Sequence, residues 1–278
     1  MSTDISTATR ATVSQVSAVT DSAHAELPTE LPVLLAFDLD DTLAPSKTRL
    51  PDEMAQVFAQ LLPRTQLAVI SGGQIGQFRS QVIEALETAG ATHLENLHLM
   101  PTCGTQYFRF VDGAWERRYV ESLSDDEKAR ALRAVEDSAR ELGLWSEETW
   151  GNVLEDRESQ ITFSALGQEA PVDAKYGWDP TGEKKEALRA RVAELIPDLE
   201  VRAGGSTSVD ITRRGRDKAY GVNRLLEATG LELSDMLFYG DQLQPGGNDH
   251  AVAAMGARTV EVTGWPDTLA RLQALLAN

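Results

Sequence analysis

The 278 residues suffice for one large domain or for a core carrying a smaller module. A formal net charge of -17 repels nucleic-acid phosphates and anionic lipid, so no nucleic acid and no membrane is expected as a partner; any bound phosphate must be met by a metal ion or a few placed basic groups. Cys103 is the only cysteine, which fits a reducing cytoplasm, and no apolar run approaches the ~18 residues that span a bilayer.

Residues 1–28, rich in Ser, Thr and Ala and without a signal-peptide apolar stretch, read as a flexible tail. Residues 33–37 form a short continuous apolar run, as in a strand buried on both faces. Pro51-Asp52-Glu53 opens a helix that must end before Pro63. A second apolar strand (67–70) leads through Ser71-Gly72-Gly73 into an amphipathic helix over 74–88. This alternation predicts a doubly wound, Rossmann-like α/β core with a parallel sheet.

The pattern then changes. Residues 106–119 read as a hairpin turning at Asp112-Gly113, and Ser124 to Glu127 is a capping box opening a helix that stops at Gly143. Strands over 154–166 and 201–211 flank another helix (182–195). The alternation resumes with a helix over 217–228, a strand over 236–239 and a last helix ending near Leu276. The expected organisation is therefore a core of residues 29–119 and 211–278 with an inserted α+β cap, residues 120–210.

Four segments fall at the ends of predicted core strands or at the helices after them, where ligands of open α/β sheets bind. In Asp38-Leu39-Asp40-Asp41-Thr42, Asp38 can attack phosphorus and share a metal, while Asp40 can protonate the leaving oxygen and lend its main-chain carbonyl to a hard cation. Ser71-Gly72-Gly73 offers a small hydroxyl and backbone N–H groups to a phosphate oxygen. Lys218 can neutralise both the nucleophile and the transferring group. Gly240-Asp241, followed by Asn248-Asp249, can complete an oxygen shell for Mg²⁺. Taken singly, each segment is also an ordinary polar turn, helix cap or surface lysine.

Together and in this order, D-x-D-x-T, S-G-G, K and G-D-x₆-N-D resemble the haloacid dehalogenase superfamily, and a cap between the second and third motifs resembles its type-IIB sugar-phosphate branch. The resemblance implies Asp38 as nucleophile, Asp40 as acid/base, and Mg²⁺ held by Asp38, Asp40 and Asp241 with Asn248 and Asp249 nearby. Thr42, Ser71, Gly72, Gly73 and Lys218 would serve the transferring phosphate. Gly204 to Asp210, Asp217-Lys218, and Pro245 to His250 resemble eukaryotic-type phosphomannomutases, in which the residues matching Ser208 and Asp210 face the sugar. Arg157 would match a phosphate-gripping cap arginine.

Two features point away from a mutase. Gln168 stands where that family has a second cap arginine, and a third has no clear counterpart, Lys175 being the nearest basic residue. Ser71 is the usual hydrolase residue. The expectation is accordingly a Mg²⁺-dependent phosphatase acting on a phosphorylated hexose, with a phosphomannomutase as the alternative and a non-catalytic sugar-phosphate sensor as a third reading. A homodimer through the cap is implied by analogy. The histidines form no zinc pattern, and Cys103 lacks an obvious histidine partner.

Overall fold

The computed structural model describes residues 30–277, so the expected tail lies outside the described residues. Chain order is β1 (Leu34–Phe37), α1 (Asp52–Leu61), β2 (Gln66–Ile70), α2 (Ile75–Phe78) running through a π-helical turn into α3 (Glu84–Thr88), β3 (Leu97–Met100), α4 (Pro101–Gly104), β4 (Gln106–Val111) and β5 (Ala114–Val120). Then come α5 (Asp125–Glu141), β6 (Leu154–Asp156), β7 (Ile161–Ser164), α6 (Val172–Trp178), α7 (Glu183–Leu195), β8 (Leu199–Ala203) and β9 (Ser208–Arg213). The chain closes with α8 (Lys218–Thr229), β10 (Met236–Gly240), α9 (His250–Ala254), β11 (Arg258–Glu261) and α10 (Trp265–Ala277).

The first sheet has the order β11-β10-β1-β2-β3-β4-β5, parallel from β11 through β3 and antiparallel at β4 and β5. Because side chains alternate across a strand, Leu35 and Phe37 of β1 enter one apolar cluster while Leu34 and Ala36 enter the other. Both faces are thus covered, which is why this strand is a solid apolar run rather than an alternating one. The second sheet, β6-β7-β9-β8, is wholly antiparallel and has a separate apolar cluster with α5 and α7, including Val135, Phe163, Leu188 and Ile211. The Ser124 hydroxyl and Glu127 carboxylate close the capping box of α5.

Several sequence boundaries shift. The strand expected over 154–166 is a hairpin whose turn, Arg157 to Gln160, breaks the pairing, and 201–211 likewise divides into β8 and β9. A cap ending at residue 210 would cut β9, which pairs with β8 through Arg213. The helix over 74–88 contains five residues of π-helix. Helix α6 and strand β11 were not foreseen; both are short, and neither has a strong period of its own.

Candidate active site

Strands β1 and β10 are parallel neighbours in register, Phe37 opposite Tyr239, and the Asp38 N–H continues the ladder to the Tyr239 carbonyl at 3.0 Å. Asp38 and Asp241 therefore leave the sheet side by side, at the carboxyl edge. Helix α8 brings Lys218 beneath them, its start fixed by the Asp217 carboxylate accepting from Tyr220 N–H. Gly104 and Gly221 let α4 and α8 touch: a Cβ on Gly104 would sit 2.3 Å from the Gly221 Cα. Gly240 is needed for a similar reason, since a Cβ there would lie 2.6 Å from an Asp249 oxygen.

The resulting cluster is tight. Lys218 Nζ donates to Asp38 Oδ1 and to Asp249 Oδ1, each at 2.5 Å, with all three side chains essentially inaccessible. Thr42 is completely buried, its hydroxyl 3.4 Å from Asp38 Oδ2 and 3.3 Å from Asp241 Oδ1. The sequence reading puts Thr42 among the substrate binders; in the structure its hydroxyl faces the two carboxylates, which it can orient. Asp249 likewise is engaged by Lys218 and by the Gln242 N–H, at 3.2 Å.

Burial pushes the Asp38 carboxyl well above its ordinary range; Lys218 opposes this, and Asp249 and Asp241 add to it. Burial also raises Asp241, helped by Asp249. On Lys218 burial works against the charge, but the Asp249 and Asp38 carboxylates outweigh it and its pKa rises. Asp38, Asp241 and Asp249 can each turn one oxygen to within 4.8 Å of the others. Three carboxylates face one ammonium here, and hard oxygen donors in that number fit a divalent cation such as Mg²⁺. Asn248 lines the cavity beside them.

A cavity of about 750 Å³ opens in front of Asp38 and is walled on its far side by the second sheet. Asp40, Ser71, Gly72, Gly73, Arg157, Ser208, Asp210, Lys218 and Asn248 line it, together with Lys47, Gln160, Thr162 and Tyr176, which the sequence reading missed. The Asp40 carboxylate accepts from Lys47 N–H at 2.5 Å, and the Ser71 hydroxyl from Gly73 N–H at 3.3 Å. Ser208 and Ser164 share a hydrogen bond of 3.1 Å.

The two sides meet through specific pairs. Arg157 is 6% exposed; it donates to the Gly72 carbonyl at 2.7 Å and pairs with Glu155 at 2.5 Å. Lys47 Nζ donates to Gln168 Oε1 at 2.8 Å, and the Tyr176 hydroxyl to Asp41 Oδ1 at 3.1 Å. Lys175 is buried and donates to the Gln168 carbonyl at 3.2 Å. Burial first, and then the positive charges of Lys175 and Arg157, push Lys47 down to about 8. Lys47 carried no sequence signal: a lysine in a polar loop is ordinarily a solvated surface residue. Cys103 also borders the cavity, but burial raises its thiol to about 11, which suits an inert side chain better than a nucleophile.

Residues 54–278 match a family model described as eukaryotic phosphomannomutase. The chain belongs to this family. Among curated phosphomannomutases, the probable enzyme of Caenorhabditis elegans is 24% identical over 267 residues, covering 90% of this chain and 97% of that protein. That of Saccharomyces cerevisiae is 24% identical over 226 residues, covering 79% and 84%. Among solved structures, IMP-bound Plasmodium falciparum IMP-nucleotidase superposes with a TM-score of 0.67 at 17% identity, covering 91% of this chain and 70% of that one. A haloacid dehalogenase-like hydrolase from Bacteroides thetaiotaomicron gives 0.58 at 13% identity, covering 88% and 100%. Those likenesses are of fold, and they agree with an α/β core of the haloacid dehalogenase type. Membership in the phosphomannomutase family makes this a phosphoryl-transfer enzyme of that superfamily acting on sugar phosphates.

Proposed function

We propose that this phosphomannomutase homologue is itself a mutase, interconverting mannose 6-phosphate and mannose 1-phosphate through an aspartyl-phosphate on Asp38. The observation that carries this reading is a second set of cations at the Asp38 cavity: Lys47 and Arg157 line it, and Lys175 lies near Lys47. A mutase must grip one phosphate while the other reacts, and then accept the bisphosphate after it turns around. The phosphatase expectation rests on Ser71 and on missing cap arginines; against the second of these, Lys47 from the loop after β1 and Lys175 from α6 lie near Arg157. Burial is the main reason the Lys47 pKa is low, but Lys175 and Arg157 lie near enough to act on it by charge, and a group of cations of this kind suits a phosphate. Gln168, a poor phosphate ligand, holds Lys47 instead.

In the chemical step, an Asp38 oxygen bonds to phosphorus as the bond from phosphorus to the sugar oxygen breaks, and Asp40 delivers a proton to that oxygen. In the return step Asp40 takes the proton of the sugar hydroxyl that attacks the aspartyl-phosphate. Lys218 offsets the charge on Asp38 and on the transferring group, and Ser71 with the N–H groups of the following glycines holds its oxygens. Mg²⁺, held by Asp38, Asp241 and the Asp40 main-chain carbonyl with Asn248 and Asp249 close by, would neutralise the remaining negative charge. Among the described residues no helix is long and apolar enough to cross a membrane; the single free cysteine fits a cytoplasmic setting.

The test is incubation with Mg²⁺ and mannose or glucose phosphates, with and without a hexose bisphosphate primer, following isomer exchange and free phosphate together. Primer-dependent exchange exceeding release is expected. Release without exchange would make the enzyme a phosphatase.

A further inference from the structure

Gln160 lies in the β6–β7 turn, is fully buried, and belongs to the cavity wall, yet the chemistry above gives it no task. Its amide nitrogen donates to the Gly72 carbonyl at 3.2 Å and to Thr162 Oγ1 at 2.8 Å. The reverse amide orientation would set oxygen against the Gly72 carbonyl, so the sense of these bonds is fixed. A hydroxyl has one hydrogen, and Thr162 gives it to Asp210 Oδ1 at 2.7 Å. The chain of donors therefore runs one way, from Gln160 through Thr162 to Asp210. It also spans two parts of the molecule: Gly72 follows β2 of the first sheet, whereas Thr162 and Asp210 are partners on β7 and β9 of the second.

The other oxygen of Asp210 packs against backbone rather than accepting a side-chain hydrogen bond among the described residues. Oδ2 lies over two glycines, where a Cβ on Gly204 would come within 2.7 Å and one on Gly72 within 3.5 Å. Gly72 is thus the point at which the phosphate-binding turn and the sugar-facing carboxylate meet, and its carbonyl takes donors from both Gln160 and Arg157.

We propose that Gln160 is a positioning residue: by bonding Gly72 and Thr162 at once, it presents the Asp210 carboxylate in one orientation to a ligand hydroxyl only while the second sheet is seated on the phosphate-binding turn. This rests on the reading of Asp210 as a sugar-facing residue. Without Gln160, Thr162 can rotate its hydrogen elsewhere, and Asp210 loses its only side-chain donor among the described residues.

The experiment is a double-substitution cycle of Gln160→Met and Thr162→Val, with Thr162→Ser as the variant that keeps the hydroxyl. Each of the first two should raise KM for the hexose phosphate roughly tenfold with a smaller change in kcat, the worth of one buried hydrogen bond. The double variant should stay near that tenfold loss, because both substitutions cut one chain. Thr162→Ser should remain within about twofold. Multiplicative losses, roughly a hundredfold in the double variant, would mean two independent contacts and would overturn the proposal.

A ligand-free measurement keeps the test separate from the mutase assignment. Asp210 has Arg157, Lys47 and Arg202 as its cationic neighbours, and none of them changes in Gln160→Met. Titration of the Asp210 carboxyl by carbon NMR should nevertheless move upward in that variant, since a donor to the ionised form is loosened. If the wild-type protein exchanges no hexose phosphate, the mutase reading fails while this titration still decides the link. An Asp210 titration that Gln160→Met leaves unmoved would sink the link itself.

Discussion

The two walls of the active-site cavity are built on different principles. On the side of the parallel sheet, Asp38, Lys218 and Asp249 are locked by 2.5 Å ion pairs out of reach of solvent, and the register of β1 with β10 sets Asp38 beside Asp241. On the opposite side, Arg157, Gln160, Gln168 and Tyr176 reach across by single hydrogen bonds to Gly72, Lys47 and Asp41. A buried charge cluster cannot rearrange cheaply, since each member left alone would be an unpaired charge in a low-dielectric site. Hydrogen bonds between polar side chains and backbone carbonyls can be exchanged for bonds to a ligand at little net cost. The first wall is thus preassembled, and the second is joined to it by bonds that a ligand can replace.

The comparison can be broken at several points. Asp38→Asn strikes the locked wall and should lower turnover by on the order of 10⁴-fold or more. Folding should survive, because Lys218 keeps Asp249; circular dichroism and a phosphoenzyme assay check both halves. Substantial residual turnover would remove Asp38 as the nucleophile.

Lys47→Met removes the partner that Gln168 of the second wall reaches, and Lys175→Met strikes that wall itself. Each should raise KM for hexose phosphates roughly tenfold, as loss of a charge-assisted contact does, with little change in phosphorylation of Asp38. Steady-state and single-turnover kinetics would separate the two effects. Equal loss in both would show that these lysines serve the chemistry itself.

Tyr176→Phe removes only a hydroxyl, so about a fivefold rise in phosphate released per exchange event is expected if the Asp41 contact helps keep water out. An unchanged ratio would relegate that contact to the surface.

His98→Gln touches neither wall. His98 is fully enclosed between Tyr107 and Gln66, and burial, with a smaller contribution from Arg109, pushes its pKa from 6.5 down to about 3. The folded state therefore holds it neutral while the unfolded chain protonates it below 6.5. Stability should fall as pH drops from about 6.5 towards 3, by roughly 1.4 kcal/mol per unit. The substitution should flatten that slope in denaturant titrations and leave exchange at pH 7 unchanged.

How much could be read in advance differs between the walls as well. Asp38 and Asp241 follow apolar runs that could only be buried strands, and the carboxyl edge of such strands is a known place for ligands. Lys218 could be placed because a predicted helix begins there. Lys47, Gln160 and Tyr176 gain their meaning from partners 121, 88 and 135 residues away, so no local pattern marks them. The Arg157 to Gln160 turn was lost inside an expected strand because it contains no glycine or proline to mark a break. Gln168 was legible as a missing arginine, but only the fold reveals that Lys47 comes from another loop to occupy that side.

The central claim is that Asp38 passes its phosphoryl group to a sugar rather than to water. The direct measurement is a rapid-quench experiment with phosphorus-labelled hexose bisphosphate, Mg²⁺ and excess unlabelled mannose 1-phosphate. Label should pass through Asp38 and reappear chiefly in hexose phosphates, with inorganic phosphate a minor product. Label that leaves Asp38 chiefly as inorganic phosphate, even with the acceptor saturating, would contradict the account.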